Sequence, residues 1–545
     1  MALALLAASA SAAPVRPTPD DLLRTYVAAR AAEAFGEDGR AAQLYAGLAV
    51  RDPTNPTIAQ RALGGAISAG DMPLALRLAH GLKPGDRSLV ARMLLVGEDL
   101  RANRTAAALA QIGVPGQTPD LGFMTPFIRA WDQAAHGDAT ALDTLTQVAV
   151  AGPLGPFLTE QRGFMLATLK RTAEAEPFAN RAIAAAGGRE QRVRLAMAEA
   201  FRAAGDRPGA LALLQGPGRS IALGRARLAE NRPIAYHVGS PASAYAEILL
   251  GIAISLTREG SRDVPIALAQ VARFIAPDNS EAPIVLGLLL DQADRHDAAL
   301  AAFAQVGRDD LLIDQARDAQ ARTLLSAKRG PEALKLASDA ASAKGADAGD
   351  FTRLGDVLDE LDRHGDAASA YLRAIALQPA SAAGSSDGWT NYLLAGSALE
   401  SAGRWQEARA TVERGLKLAP DQPLLLNFLG YTELTHGENL EGAEAMIRKA
   451  SALRPSDSSI TDSLGWALFK RGKVSEAIAT LEKATAGDPA QSEIGEHLGD
   501  ALYTAGRRFE ARFAWRAAMV TAEETESKRI AAKIDRGLEP ATAAP

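Results

Sequence analysis

The strongest constraint on this chain is a degenerate motif that returns in one register through its last third. Leu354-Gly355, Ala395-Gly396, Leu429-Gly430, Leu464-Gly465 and Leu498-Gly499 are followed by Leu358, Leu399, Leu434, Leu468 and Leu502. Each copy then places an alanine (Ala367, Ala408, Ala443, Ala477, Ala511) before a large apolar residue (Tyr371, Val412, Ile447, Leu481, Trp515) and a small one (Ala374, Gly415, Ala450, Ala484, Ala518). Four copies close on Pro379, Pro420, Pro455 and Pro489, spaced by 41, 35 and 34 residues. A period of about 34 residues marks a unit of two short helices that buries its apolar face only against neighbouring copies. The expected fold is therefore all-α, an α-solenoid of stacked antiparallel helix pairs.

Two helices approach closely only where a side chain is very small. Gly355 and Ala367 supply that contact, Tyr371 fills the gap towards the neighbouring helix, and Ala374 lets the next pair dock. Pro379 stops the second helix, because proline lacks the amide hydrogen and clashes with the preceding turn. The register continues upstream through Leu286-Gly287, Leu290, Ala299, Phe303 and Val306, then Ala321, Leu324, Ala333, Ala337 and Ala340. Nearer the start, Gly163, Leu166, Ala175, Ala179 and Ala182 fit the motif, as do Ala198, Phe201, Ala210 and Leu214. Ala41, Tyr45, Leu48 and Pro53 fit its second half, with Ala75 and Ala79 one period later. About a dozen pairs are expected in all.

Interruptions set the expected organisation. Residues 1–13 read as a signal-peptide remnant: the apolar run ALALLAA precedes small-x-small sites at Ala8-Ser9-Ala10 and Ala10-Ser11-Ala12, with no basic residue before Arg16. Residues 14–230 are expected to form a degenerate N-terminal solenoid and 231–242 (NRPIAYHVGSPA) a junction between two superhelical halves. Middle repeats follow at 243–345 and well-matched repeats at 346–523. A capping helix is expected at 524–536, with Ile530 and Ile534 on its apolar face, and a disordered tail at 537–545. Gln378 to Gly388 (QPASAAGSSDG) accounts for the long spacing between prolines. The leader implies a periplasmic or outer-membrane-associated location in a bacterium; read as a plain Ala-rich leader, it leaves the protein in the cytoplasm.

Composition narrows the function. A net charge of −6, with both signs mixed along the helices, argues against nucleic acid, which calls for clustered Lys and Arg. No stretch reaches 18 consecutive apolar residues, so no transmembrane segment is expected. There is no cysteine, hence no disulfide and no thiol nucleophile. The seven histidines stand singly, without the spacing of a helical metal site, and Lys470-Arg471-Gly472-Lys473 reads as an inter-helix turn rather than a phosphate loop. No enzyme activity and no cofactor are expected.

Function must then lie in the groove lined by the first helix of each pair. The residue after the motif's glycine and the residue four beyond it point into the concave face. Those positions hold Tyr431, Trp466, Phe469, Asp500 and Tyr503, with Asn427, Asp462, Lys470 and Glu496 nearby. Aromatics there read either as anchors for an apolar or extended peptide or as irregular core between pairs. Earlier copies carry Asp356, Asp359 and Glu400, so the groove should grade from acidic to aromatic.

The repeat resembles the tetratricopeptide repeat family, which implies a right-handed superhelix. Chaperone-binding members of that family clamp a C-terminal carboxylate with Lys, Asn and Arg, whereas the matching sites here hold Asp, Thr, Ser, Trp and Tyr, so that activity is not implied. A nearer likeness runs through Phe428-Leu429-Gly430-Tyr431, Gly437-Glu438-Asn439-Leu440, Asp462-Ser463-Leu464-Gly465-Trp466 and His497-Leu498-Gly499-Asp500. This looks like the C-terminal repeats of bacterial envelope tetratricopeptide proteins, among them outer-membrane lipoproteins that act as adaptors for a carboxyl-terminal processing protease. The resemblance implies a non-enzymatic scaffold whose partner is a protein or peptide, a periplasmic protease included. The alternative is a periplasmic component of a polysaccharide synthesis or export machine, with sugars stacking on Trp466 and Tyr503.

Overall fold

The computed structural model describes residues 19–52, 55–112, 120–216, 218–257, 262–378, 388–539 and 544. The leader at 1–13, Pro53, Pro379 and most of the 378–388 stretch lie outside the described residues. The described residues form thirty α-helices and no strand, the all-α stack of helix pairs that the period implies.

Each clear copy of the motif is one antiparallel pair, and its glycine is what lets the pair close. A Cβ built on Gly287, Gly355, Gly396, Gly430, Gly465 or Gly499 would lie inside 3.0 Å of Phe303, Tyr371, Val412, Ile447, Leu481 or Trp515 respectively, the large residue of the same copy. That large residue therefore fills the space left by its own pair's glycine as well as packing outward. Between the two helices the chain reverses through a left-handed residue: Gly403 (φ 74°), Gly437 (69°), Gly472 (75°) and Gly506 (82°), with Asp362 (57°) in the same role. The second helices end at Leu418, Leu453 and Gly487, just ahead of Pro420, Pro455 and Pro489.

The chain divides into two compact units, 1–329 and 330–545. In the first, one apolar cluster runs from Ala42 to Ala319, and residues far apart in sequence meet inside it. Tyr245 Oη donates to the Met93 carbonyl at 3.3 Å, Gln270 Nε2 to the Ser68 carbonyl at 3.0 Å and Arg101 Nη1 to the Phe274 carbonyl at 2.9 Å. The helices Pro241–Leu256 and Asp263–Ile275 thus pack back onto much earlier ones, beyond the nearest-neighbour stacking of a simple solenoid. The expected junction at 231–242 lies within this unit. Ile234 and Val238 are buried, and the Ile234 N–H donates to Glu199 Oε2 at 2.8 Å. Its prolines and glycine mark a packed loop rather than a boundary, because apolar residues alternate with them.

The second unit opens with the helix Gly330–Ala341 and continues as five pairs. Their first helices are Ala348–Glu360, Thr390–Ser401, Pro423–Thr435, Ser458–Lys470 and Ser492–Thr504. The helix Glu524–Arg536 closes the stack. Ile530 is buried as expected of a cap, but so is Lys533, at 0% exposure, so the charged face is not wholly turned to water. Of the tail expected to be disordered, Gly537 and Ala544 are buried; residues 540–543 and 545 lie outside the described residues.

Candidate functional site

The three helices Pro423–Thr435, Ser458–Lys470 and Ser492–Thr504 carry all nine residues that the register assigns to the groove. Leu434, Leu468 and Leu502 of these helices are each under 5% exposed. The nine residues sort into two layers by burial.

The upper layer keeps solvent contact. Asn427, Tyr431, Phe469 and Tyr503 are half-buried and Lys470 is exposed. Tyr431 reaches past the middle helix to donate its hydroxyl to Glu493 Oε1 at 2.8 Å, and burial, helped by the Glu493 charge, pushes its phenol above the ordinary range. Lys470 holds its Nζ 4.7 Å from the centre of the Trp466 ring, a cation–π contact, and partial burial lowers its pKa. Tyr503 leans on Trp515 with ring centres 5.5 Å apart, and the Arg508 guanidinium lies over the Tyr503 ring.

The lower layer is out of reach of water. Trp466 is 1% exposed, stacked on His497 at 4.0 Å and on Phe469 at 5.0 Å. It presents no free face, which corrects its expected role as an anchor: the indole is large enough to fill the space between two adjacent first helices. Asp462, Glu496 and Asp500 are likewise buried, and each is held by a partner. Asp462 Oδ2 pairs with His497 Nδ1 at 2.9 Å, while Asp462 Oδ1, His497 Nε2 and Asn427 Oδ1 find no hydrogen-bond partner among the described residues. Burial works to lower the His497 pKa, but the Asp462 carboxylate and its hydrogen bond outweigh it, and the imidazole ends above its usual value.

Glu496 and Asp500 face two cations from the capping helix. Arg529 grips Glu496 through two bonds of 2.8 and 2.6 Å, and Lys533 Nζ donates to Glu496 at 2.6 Å and to both oxygens of Asp500 at 2.8 and 2.7 Å. Asp500 also accepts from Trp515 Nε1 at 2.9 Å and from the backbone N–H of Ala544 at 3.1 Å. Burial raises both carboxyls. For Glu496 the hydrogen bonds from Arg529 and Lys533 prevail and its pKa falls, whereas Asp500 stays above its ordinary value despite Lys533. Two anions and two cations leave the cluster neutral, the condition under which such burial is tolerable.

His497, Glu493, Arg529, Lys533 and Ala544 were not among the residues singled out by the register. The signal for the basic pair was present: Arg529 and Lys533 are four apart on one helix face, opposite Glu496 and Asp500, which are also four apart. In the first unit, a cavity of about 400 Å³ is lined by Arg192, Tyr236, His237, Asn279 and Asp310. Beside it Arg189 and Arg192 pair with Glu247 and Glu281, all but Arg189 fully or nearly buried. No motif announced this cluster, since its members are single charges on helices distant in sequence. No helix of the described residues is long and apolar enough to cross a membrane.

No protein-family model matches the chain. One stretch of 72 residues is 36% identical to the TPR repeat-containing protein PA4667 of Pseudomonas aeruginosa, covering 12% of each chain. The chain thus spans about an eighth of that curated relative's length. Among solved structures, the APC/C hetero-tetramer Cut9–Hcn1 aligns over 96% of this chain and 97% of its own at 16% identity, with a TM-score of 0.37. A tetratricopeptide repeat protein from Parabacteroides merdae aligns over 47% and 97% at 14% identity (TM-score 0.38). YrrB, described as a TPR protein with an unusual peptide-binding site, aligns over 35% and 94% at 19% identity (TM-score 0.27). In its paired-helix repeats and in that one matched stretch, the chain is similar to tetratricopeptide repeat proteins.

Proposed function

We propose that this chain is a non-enzymatic scaffold that takes an extended segment of a partner protein along the concave face of its second unit. One observation carries the reading. Tyr431, Phe469, Lys470 and Tyr503 keep exposed surface on three successive first helices, the three aromatics being only partly buried against the core clusters beneath them. Half-exposed aromatics with a cation among them bind by covering apolar and carbonyl-rich surface at low entropic cost. Asn427 lies at the edge of the same face. Trp466, Asp462, Glu496 and Asp500 act from beneath, holding the helices in register. The signal-like leader and the likeness of residues 428–500 to envelope repeat proteins support a place in the bacterial envelope and a role as adaptor for a processing protease. The polysaccharide alternative has less to rest on, since the Trp466 ring offers no open face to a sugar.

The test is affinity capture from a crosslinked envelope fraction, comparing the wild type with a Tyr431→Ser, Phe469→Ser, Lys470→Glu triple variant of unchanged helix content. Loss of one specific partner in the variant supports the reading. Identical partner sets for both proteins would remove the groove from consideration.

A further inference from the structure

Apolar side chains stand on two sides of the second helix of the last pair. In that helix, Arg508–Ala518, Ala511, Trp515 and Ala518 are buried. Roughly half a turn round the same axis, Phe509, Phe513, Arg516 and, just past the helix end, Val520 fall into a second row at i, i+4, i+7 and i+11. Phe509 is 75% exposed, Phe513 56% and Val520 82%, with Arg516 exposed among them. The two phenyl rings meet edge to face, their centres 4.9 Å apart. Repeat packing does not call for this row. Counted from the motif's alanine, the position of Phe509 holds Ser475, Glu441, Gln406 and Gly365 in the four preceding copies, all exposed, and that of Phe513 holds only alanine or serine.

Shape and charge select what covers it. The neighbouring second helix, Val474–Gly487, exposes Ser475, Ala479 and Glu482, so among the described residues it offers the phenyl rings no second apolar wall. An amphipathic segment of a partner protein is held in a groove with apolar walls. A lipid surface needs only a ridge that stands out from the protein and can enter the boundary between headgroups and acyl chains. Arg516 stands in the row itself, while Glu510, the one acid of this helix, is already taken by Arg507 at 2.8 Å. A second copy docked row to row would bury Arg516 with no acid opposite it. Anionic headgroups give that guanidinium a phosphate at the depth the rings reach.

We propose that the helix Arg508–Ala518 docks on an anionic lipid surface, with Phe509, Phe513 and Val520 entering the headgroup boundary and Arg516 taking a lipid phosphate. No residue of the groove takes part in this contact. The inference therefore stands apart from the reading of the groove as a protein-binding face.

The test is flotation of the full chain with large unilamellar vesicles, of phosphatidylcholine alone or mixed in equal parts with phosphatidylglycerol. The wild type should partition about fivefold more strongly onto the anionic vesicles, the effect of one arginine near a charged surface. Arg516→Glu should abolish that preference. A Phe509→Ser, Phe513→Ser variant, changed only at exposed positions, should lose at least about tenfold in binding, the least expected from removing a buried phenyl. Phe35→Ser, which removes an 82% exposed phenyl from the first unit, should bind like the wild type. Wild type that ignores anionic vesicles, equal partition onto both kinds, or undiminished binding of the double serine variant would overturn the proposal. So would an equal loss in Phe35→Ser, which would make the binding a property of any exposed phenyl. A wild-type dimer in sedimentation velocity that the double serine variant splits would assign the row to a second copy instead.

Discussion

Gly499 faces the indole of Trp515 so closely that any side chain at 499 would overlap its pyrrole edge. The indole cannot retreat, for it is fully buried and its Nε1 is bonded to Asp500. Gly499→Ala should therefore destabilise the last pair although alanine favours helix. Overpacking costs about 1–3 kcal/mol, against about 1 kcal/mol of regained helix propensity. A drop in denaturation midpoint, with amide exchange accelerated in the helices Ser492–Thr504 and Arg508–Ala518 first, is the expected outcome. A midpoint at or above wild type would show that the pair closes by some other means.

Gly47 gives the opposite prediction with the same substitution. It lies inside the helix Asp38–Arg51, and nothing stands within 4 Å of where its Cβ would be. Gly47→Ala should stabilise that helix by about 0.5–1 kcal/mol, because it restricts the unfolded chain without any clash. Slower exchange of its amides is the check.

Lys533 holds the capping helix to the last pair. Replacing it by methionine keeps the volume but leaves Glu496 with Arg529 as its hydrogen-bonded cation and takes from Asp500 the cation that bonds both its oxygens. Breaking a buried pair in this way costs about 3–5 kcal/mol. Because stability in a repeat stack is local, the loss should show as fraying of residues 492–536 in hydrogen exchange before the rest of the unit melts. Lys533→Met unfolding together with the whole unit would mean that the cap is not a separable end.

How much of this was legible beforehand depends on distance along the chain. The pairing of Gly355 with Tyr371, or Gly499 with Trp515, repeats in each of the six clear copies, so periodicity exposes it. The concave positions follow from the same count, which placed Tyr431, Phe469, Lys470 and Tyr503 on one face. The count could not tell a half-exposed Tyr503 from a buried Trp466, since that depends on His497, one position out of register with Asn427 and Asp462. The contacts of Ala544 with Asp500 and of Tyr245 with Met93 repeat nowhere. They close long loops between residues of ordinary type, and no local pattern points to them.

The pair of Asp462 and His497 should make stability fall as the medium turns alkaline. The imidazole is fully buried, and the neighbouring carboxylate holds its pKa above the ordinary value of about 6.5. A histidine raised on folding binds its proton more tightly in the folded chain. Its contribution is therefore complete below about pH 6.5 and is lost as the pH climbs through the folded value. Melting temperatures of the wild type should decline between pH 6.5 and 9 more steeply than those of Asp462→Asn. In that variant the charge that raises the pKa is gone while the shape of the side chain is kept. Parallel profiles for the two proteins would place the proton elsewhere, and an NMR titration of the His497 ring would then show no upward shift.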